Sequence, residues 1–202
     1  MIRKLLIAFS LLAFPALAEP FSHSGYTLGC DEAGCTVYSA GFLLTVANDG
    51  STPARIISKL ANMEALTAVN LKGDLGELGD SSAPLTLTGL SVKTDDLYQD
   101  TLRYIQGGWK PKADEAPFSV QINGLQWQEV TGGEVTATLL ISPGDACADG
   151  TTPGGIALSL YLMGGDPAEA ACWQVEYATD TELDLRDFKG DQGQVAFERV
   201  SN

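Results

Sequence analysis

The chain has 202 residues, 45% of them hydrophobic, with 12 Lys and Arg against 26 Asp and Glu and a formal charge of −14. Apolar content of this order belongs to a folded chain rather than a disordered one. The acidity excludes nucleic acid as a partner, because phosphates are neutralised by Lys and Arg, and it disfavours anionic membrane surfaces for the same reason.

The first 18 residues read as an export signal. Arg3 and Lys4 precede the apolar run Leu5 to Leu12, and Ala16-Leu17-Ala18 places small residues at the −3 and −1 positions of a cleavage before Glu19. The run is too short to span a bilayer, and no Cys stands at the cleavage point to take a lipid anchor. The expected location is the periplasm of a Gram-negative bacterium, or outside the cell, with no integral membrane segment after cleavage. Four cysteines in an exported chain then predict two disulfides. Of the three pairings, Cys30–Cys35 with Cys147–Cys172 keeps each bridge within one half of the chain. Cys30 and Cys35 flank the polar turn Asp31-Glu32-Ala33-Gly34. That is not the C-x-x-C spacing of a redox centre, and the neighbouring acids would raise a thiol pKa, so both bridges are read as structural.

In chain order, Tyr26-Thr27-Leu28, Cys35 to Tyr38 and Phe42 to Val46 read as strands, followed by the turn Asn48-Asp49-Gly50. Ser51 or Thr52 can N-cap a helix with Pro53 at its first position, carrying Ile56, Ile57, Leu60 and Met63 at helical spacing. Leu66 to Leu78 suggests strands interrupted by Gly73, Gly76 and Gly79. Leu85 to Val92 gives another strand. Thr94-Asp95-Asp96 opens a short amphipathic helix with Leu97, Leu102 and Ile105, stopped at Gly107-Gly108. Trp109 begins a strand. Phe118, Val120 and Ile122 then alternate with polar residues up to Asn123-Gly124, a strong hairpin signal. Leu125 and Trp127 continue on the return strand, and Gly132-Gly133 turns into Val135 to Ile141. Ile156 to Leu162, Cys172 to Tyr177, Glu182 to Arg186 and Val195 to Val200 complete about eight short strands, a meander sandwich or barrel pattern. The predicted class is α+β, mostly β. It divides into a signal peptide over 1–18, a small α+β region with a disulfide over 19–94, and a helix plus antiparallel barrel over 95–202.

Gly107-Gly108-Trp109, directly after a short helix and at the head of this meander, resembles the G-x-W opening of lipocalin-like (calycin) barrels. The resemblance implies that an Arg of the last strand packs across the Trp of the first and closes the barrel's bottom. Trp109 and Arg199 stand at those two positions. Such a cation–π contact is worth about 1 to 2 kcal/mol when partly desolvated. The resemblance covers residues 107 to 202, and a barrel this small is expected to be filled by its own side chains.

The chemistry on offer is sparse. His23 is the single histidine, so a His-rich zinc shell has no second ligand and a Ser-His-Asp triad would have to use His23. Gly79-Asp80-Ser81-Ser82 is similar to the G-D-S block of one hydrolase class, but no His follows position 23, and the segment reads as a glycine turn. There is no Gly-x-Ser-x-Gly elbow, Ser-x-x-Lys pair or P-loop. Glu129 beside Trp127 and Glu176 beside Tyr177 are candidate paired acids for glycoside cleavage, weighed against ordinary solvent-facing acids. Asp145 and Asp149, in the turn around Cys147, are candidate calcium ligands, although the D-x-D-x-D-G series is missing. Trp109, Trp127 and Trp173 are expected in the core. The sequence implies no cofactor and no resident metal. The expected function is a non-enzymatic binding module of the cell envelope, taking a small apolar ligand or a protein partner. The alternative is a carboxylate-dependent hydrolase acting on a sugar or envelope polymer.

Overall fold

A computed structural model describes residues 19–79, 82–113, 118–162, 169–188 and 193–200. The predicted export signal at 1–18, Asp80 and Ser81 of the predicted glycine turn, and Pro117 lie outside the described residues. Among the described residues, thirteen strands and two helices make two closed barrels.

The first barrel contains β1 (Glu19–Cys30), β2 (Gly34–Ser39), β3 (Phe42–Ala47), β4 (Ala68–Leu75) and β5 (Ser82–Val92), in the order β1-β2-β3-β5-β4. Helix α1 (Ala54–Ala61) lies between β3 and β4. This is the Greek-key connectivity of the OB type. Closure depends on β1, which pairs with β4 from Glu19 to Tyr26 and with β2 from Gly25 to Cys30. At the changeover a Cβ on Gly25 would stand 2.1 Å from the Tyr38 carbonyl oxygen, so only glycine fits there. The circle is completed by a short parallel ladder, Leu43 to Thr45 against Ser82 to Pro84. The sequence predicted strands here, with no closed barrel. The first half of β1, Phe21-Ser22-His23-Ser24, buries only Phe21, and so lacks the apolar alternation that marks a strand.

Helix α1 starts later than the capping pattern predicts. Pro53 occupies the N-cap position, and Thr52 caps nothing: it is buried, and its Oγ1 accepts a hydrogen bond from Leu87 N at 3.0 Å. Ile56 and Leu60 of α1 pack with Val37, Leu44, Val46, Leu71, Leu85 and Leu87 in the first core.

The second barrel is the predicted eight-strand meander. Its strands are β6 (Gly107–Pro111), β7 (Phe118–Asn123), β8 (Gln126–Thr131), β9 (Glu134–Gly144), β10 (Ile156–Leu162), β11 (Ala171–Ala178), β12 (Glu182–Asp187) and β13 (Gln194–Arg199). All pairings are antiparallel, and β13 returns to β6 through Phe197↔Pro111, Glu198↔Lys110 and Arg199↔Trp109. Trp109, Val120, Ile122, Trp127, Leu158, Leu160, Trp173, Leu183, Leu185 and Phe197 belong to one buried cluster, so the barrel is packed with its own side chains.

Helix α2 (Gln99–Tyr104) joins the barrels. Tyr98 is its N-cap residue, and the turn leading into it is held by Asp96, whose Oδ1 accepts hydrogen bonds from Tyr98 N and Gln99 N at 3.0 and 2.9 Å. Leu97, predicted on the helix's apolar face, precedes the helix and is 77% exposed, whereas Leu102 and Ile105 are fully buried.

Both disulfides form with the favoured pairing. Cys30 lies opposite Cys35 across the β1–β2 hairpin, and Cys147 ties the loop after β9 to Cys172 at the head of β11. Such bonds belong to a chain that matures outside the reducing cytoplasm. Among the described residues no helix is long and apolar enough to cross a membrane.

Candidate functional site: the junction of the two barrels

Strand alternation in the second barrel turns Leu158 and Leu160 inward and Tyr161 outward, yet Tyr161 is buried, as is Leu140 on β9. Both are covered because the first barrel packs there. Tyr26, Tyr38, Leu66 and Ala68 of the first barrel share a core with the second, and Leu28 and Leu43 pack against that core. The part of the first barrel that carries Tyr26, Leu28, Tyr38, Leu43 and Ala68 is therefore turned against its neighbour.

The junction is pinned by polar contacts as well. Tyr38 and Tyr161 share a hydrogen bond at 3.1 Å, and Tyr161 Oη donates to Gly41 O at 3.4 Å. Tyr26 Oη donates to the Asp96 carboxylate at 3.1 Å, and Lys93 forms an ion pair with Asp96 at 3.3 Å. Gln99 Oε1 accepts from Ala68 N at 2.7 Å, and Arg103 pairs with Glu64 at 3.1 Å. The segment from Asp96 to Ile105, which contains α2, thus carries anchors to the first barrel on Asp96, Gln99 and Arg103, and a plug for the second on Leu102 and Ile105. Burial, with Asp96 beside Tyr26 and Tyr38 beside Tyr161, holds the Tyr26 and Tyr161 phenols well above the ordinary tyrosine range. Both stay protonated as donors.

Two clefts flank this junction. One, of about 320 Å³, includes Tyr26, Tyr38, Ser39, Lys93, Asp96 and Ser142; its polar groups satisfy one another. The other, of about 410 Å³, has Leu28 and Leu43 from the first barrel and Leu125 and Leu140 from the second, with Asp31, Thr36, Asn123 and Gln126 as polar groups. Its walls are cross-linked on both sides. The Cys30–Cys35 bridge closes one hairpin, where Asp31 Oδ1 accepts from Ala33 N and Gly34 N at 2.8 and 3.1 Å. The facing Asn123-Gly124 hairpin is gripped by Gln106, which accepts from Gly124 N at 2.7 Å and donates to Gly124 O at 3.0 Å.

Trp109 and Arg199 meet at the closed end of the second barrel. The guanidinium carbon stands 4.3 Å from the ring centroid, and the Trp109 Nε1–H donates to Ile105 O at 2.7 Å. Arg199 also donates to Gln106 O at 2.6 Å, to Tyr104 O at 3.0 Å and to Asp180 O. It therefore caps the C-terminal end of α2 as well as covering the indole. Gly107 has φ 104°, and a Cβ there would lie 2.6 Å from Arg199 Nη1. The first glycine of the G-x-W segment is thus required twice, by its backbone and by the arginine.

The other sequence candidates do not converge. Glu176 pairs with Arg186 at 2.9 Å. Glu129 is half-buried on β8, opposite Val120 and Ala137, with β9 and β10 separating β8 from β11 around the wall. His23 is exposed on β1, its ring 4.9 Å from that of Phe21. Asp149 accepts from Thr151 N at 3.0 Å within its own turn. Among the described residues no three His, Cys, Asp or Glu side chains are grouped to hold a metal.

The junction itself left a trace in the sequence. Leu139-Leu140-Ile141 and Leu160-Tyr161-Leu162 break the alternation of a one-faced strand, the mark of a strand covered on both sides. No family model matches the chain, and no curated protein or solved structure matches it.

Proposed function

We propose that the protein is a non-enzymatic binding module of the bacterial envelope, periplasmic in a Gram-negative cell, whose ligand seat is the 410 Å³ cleft between the barrels. The observation that carries this reading is the cleft's composition: leucines from both barrels, polar groups at fixed positions, and walls held by a disulfide and a gripped hairpin. Small-molecule sites have this size and character. The occupant is a small apolar molecule, or an apolar side chain presented by a protein partner. The packed barrel interior turns the reading away from lipocalin-like internal cargo. The hydrolase alternative is disfavoured by the separation of Glu129 from Glu176 and by the latter's pairing with Arg186.

Thr36→Phe adds an aromatic ring at the cleft while respecting strand preference. Nile red, a neutral apolar dye, should bind the unaltered protein saturably and lose at least about tenfold in affinity with the variant. Equal binding by both proteins would place the seat elsewhere. Alanine at Leu43, with the fold checked by circular dichroism, gives a second variant that weakens the floor without filling it.

A further inference from the structure

Among the described residues, Lys93, Arg103, Lys110, Lys112 and Arg186 each lie on a carboxylate, and Arg199 is engaged by Trp109 and three carbonyls. The cations left over are Arg55, Lys59 and Lys72. In a chain with 26 acidic residues, three cations without an ion pair would be unremarkable if scattered. They are not scattered. Arg55 and Lys59 line a cleft of about 450 Å³ between α1 and β5, with Ile56 and Leu90 as apolar contacts and Thr88 and Gly89 completing it. Lys59 Nζ donates to Leu90 O at 3.3 Å. Lys72 is the ladder partner of Gly89, where a Cβ would lie 3.4 Å from Lys72 Cβ.

The local sequence is also unfavourable for the helix. Arg55 sits in the first turn of α1, where the helix dipole disfavours a cation and no acidic residue compensates. Lys59 follows four residues later on the same face, so two like charges repel. Lys59 is partly compensated, by its place in the last turn of α1 and by Leu90 O, whereas among the described residues no carboxylate pairs with Arg55. A sequence that breaks two local rules at one place, beside a cleft, points to something that restores the balance there.

We propose that this cleft binds a compact anion carrying phosphate groups, with Arg55 as the forked donor and Lys59 and Lys72 as point charges. The acidic remainder of the surface repels extended polyanions and anionic membranes, so a small soluble molecule fits better than a lipid headgroup of the same chemistry. This site is independent of the cleft between the barrels.

The test is a titration of the full mature chain with inorganic pyrophosphate, followed by amide resonances. Shifts should centre on Arg55 to Lys59 and Thr88 to Leu90, and Arg55→Gln combined with Lys59→Gln should weaken binding about tenfold or more. Lys112→Gln, which removes a cation paired with Glu182 elsewhere, should leave binding unchanged. Without ligand, Arg55→Glu should raise the melting temperature by about 2 °C through relief of the repulsion, while abolishing the gain that pyrophosphate confers. Absence of shifts at millimolar pyrophosphate, shifts that persist in the double variant, or a lowered melting temperature for Arg55→Glu would each overturn the proposal. Recruitment to phosphatidylglycerol vesicles without pyrophosphate binding would overturn it as well.

Discussion

In the first barrel closure is made by backbone alone: β1 gives hydrogen bonds to β4 with its first half and to β2 with its second, and three parallel pairs between β3 and β5 complete the circle. In the second barrel the closing ladder between β13 and β6 is likewise three residue pairs, flanked by Lys112 N to Ala196 O and Val200 N to Gly108 O, and here a side chain is added to it. Arg199 covers Trp109, fastens three carbonyls and holds the end of α2 in place. Closure by ladder rests on backbone pairing, with Gly25 a point where only glycine fits. A side-chain lock concentrates it on Gly107, Trp109 and Arg199, where single substitutions should be felt.

The largest expected effect follows from that concentration. Trp109→Ala should cost about 3–5 kcal/mol in urea unfolding, as for other buried large aromatics, and a cost below about 1 kcal/mol would show that the lock is dispensable. Because the barrels share a core, both should still unfold in one transition; two separated transitions would break the account of the junction. Next comes the pair of disulfides. Replacing Cys147 and Cys172 with Ser opens a loop with a sequence separation of 25 and should cost about 3.5 kcal/mol, against about 2 kcal/mol for the Cys30–Cys35 loop with a separation of 5. Equal losses would show that chain entropy does not set the difference. The smallest effect lies at the junction. Tyr26 and Tyr161 keep their protons in the folded chain at pH values where the unfolded chain loses them. Their stabilisation is therefore complete below about pH 10 and declines as pH rises further. Melting temperatures between pH 9 and 11.5 should fall less steeply for the Tyr26→Phe, Tyr161→Phe double variant than for the unaltered chain, and identical slopes would remove the phenols from the account.

The two barrels were also unequally legible. The meander announces itself through period-two patterning and turn pairs such as Asn123-Gly124 and Gly132-Gly133, since each of its hairpins is local. The first barrel does not. Its closure needs β1 to pair with β4, far along the chain, through a segment whose alternation is polar on both faces at Ser22, His23 and Ser24. Glycines in β4 and β5 that permit bulges and close strand approach read in the sequence as interruptions. Thr52 illustrates the same limit: it has the chemistry of a helix cap, and tertiary packing gives it to Leu87 instead. The clefts were invisible for a related reason. Leu28, Leu43, Leu125 and Leu140 come from different strands of different barrels, and only the docking of one barrel on the other makes them neighbours.

The arginine lock also fixes an order of assembly. Every strand of the first barrel precedes residue 93, so that unit can be complete while the later strands are still being made. The second remains open along one seam until β13 arrives, its indole at 109 uncovered and its helix end bare. The early barrel then offers the face of Tyr26, Tyr38 and Ala68 beside which the late one is finished.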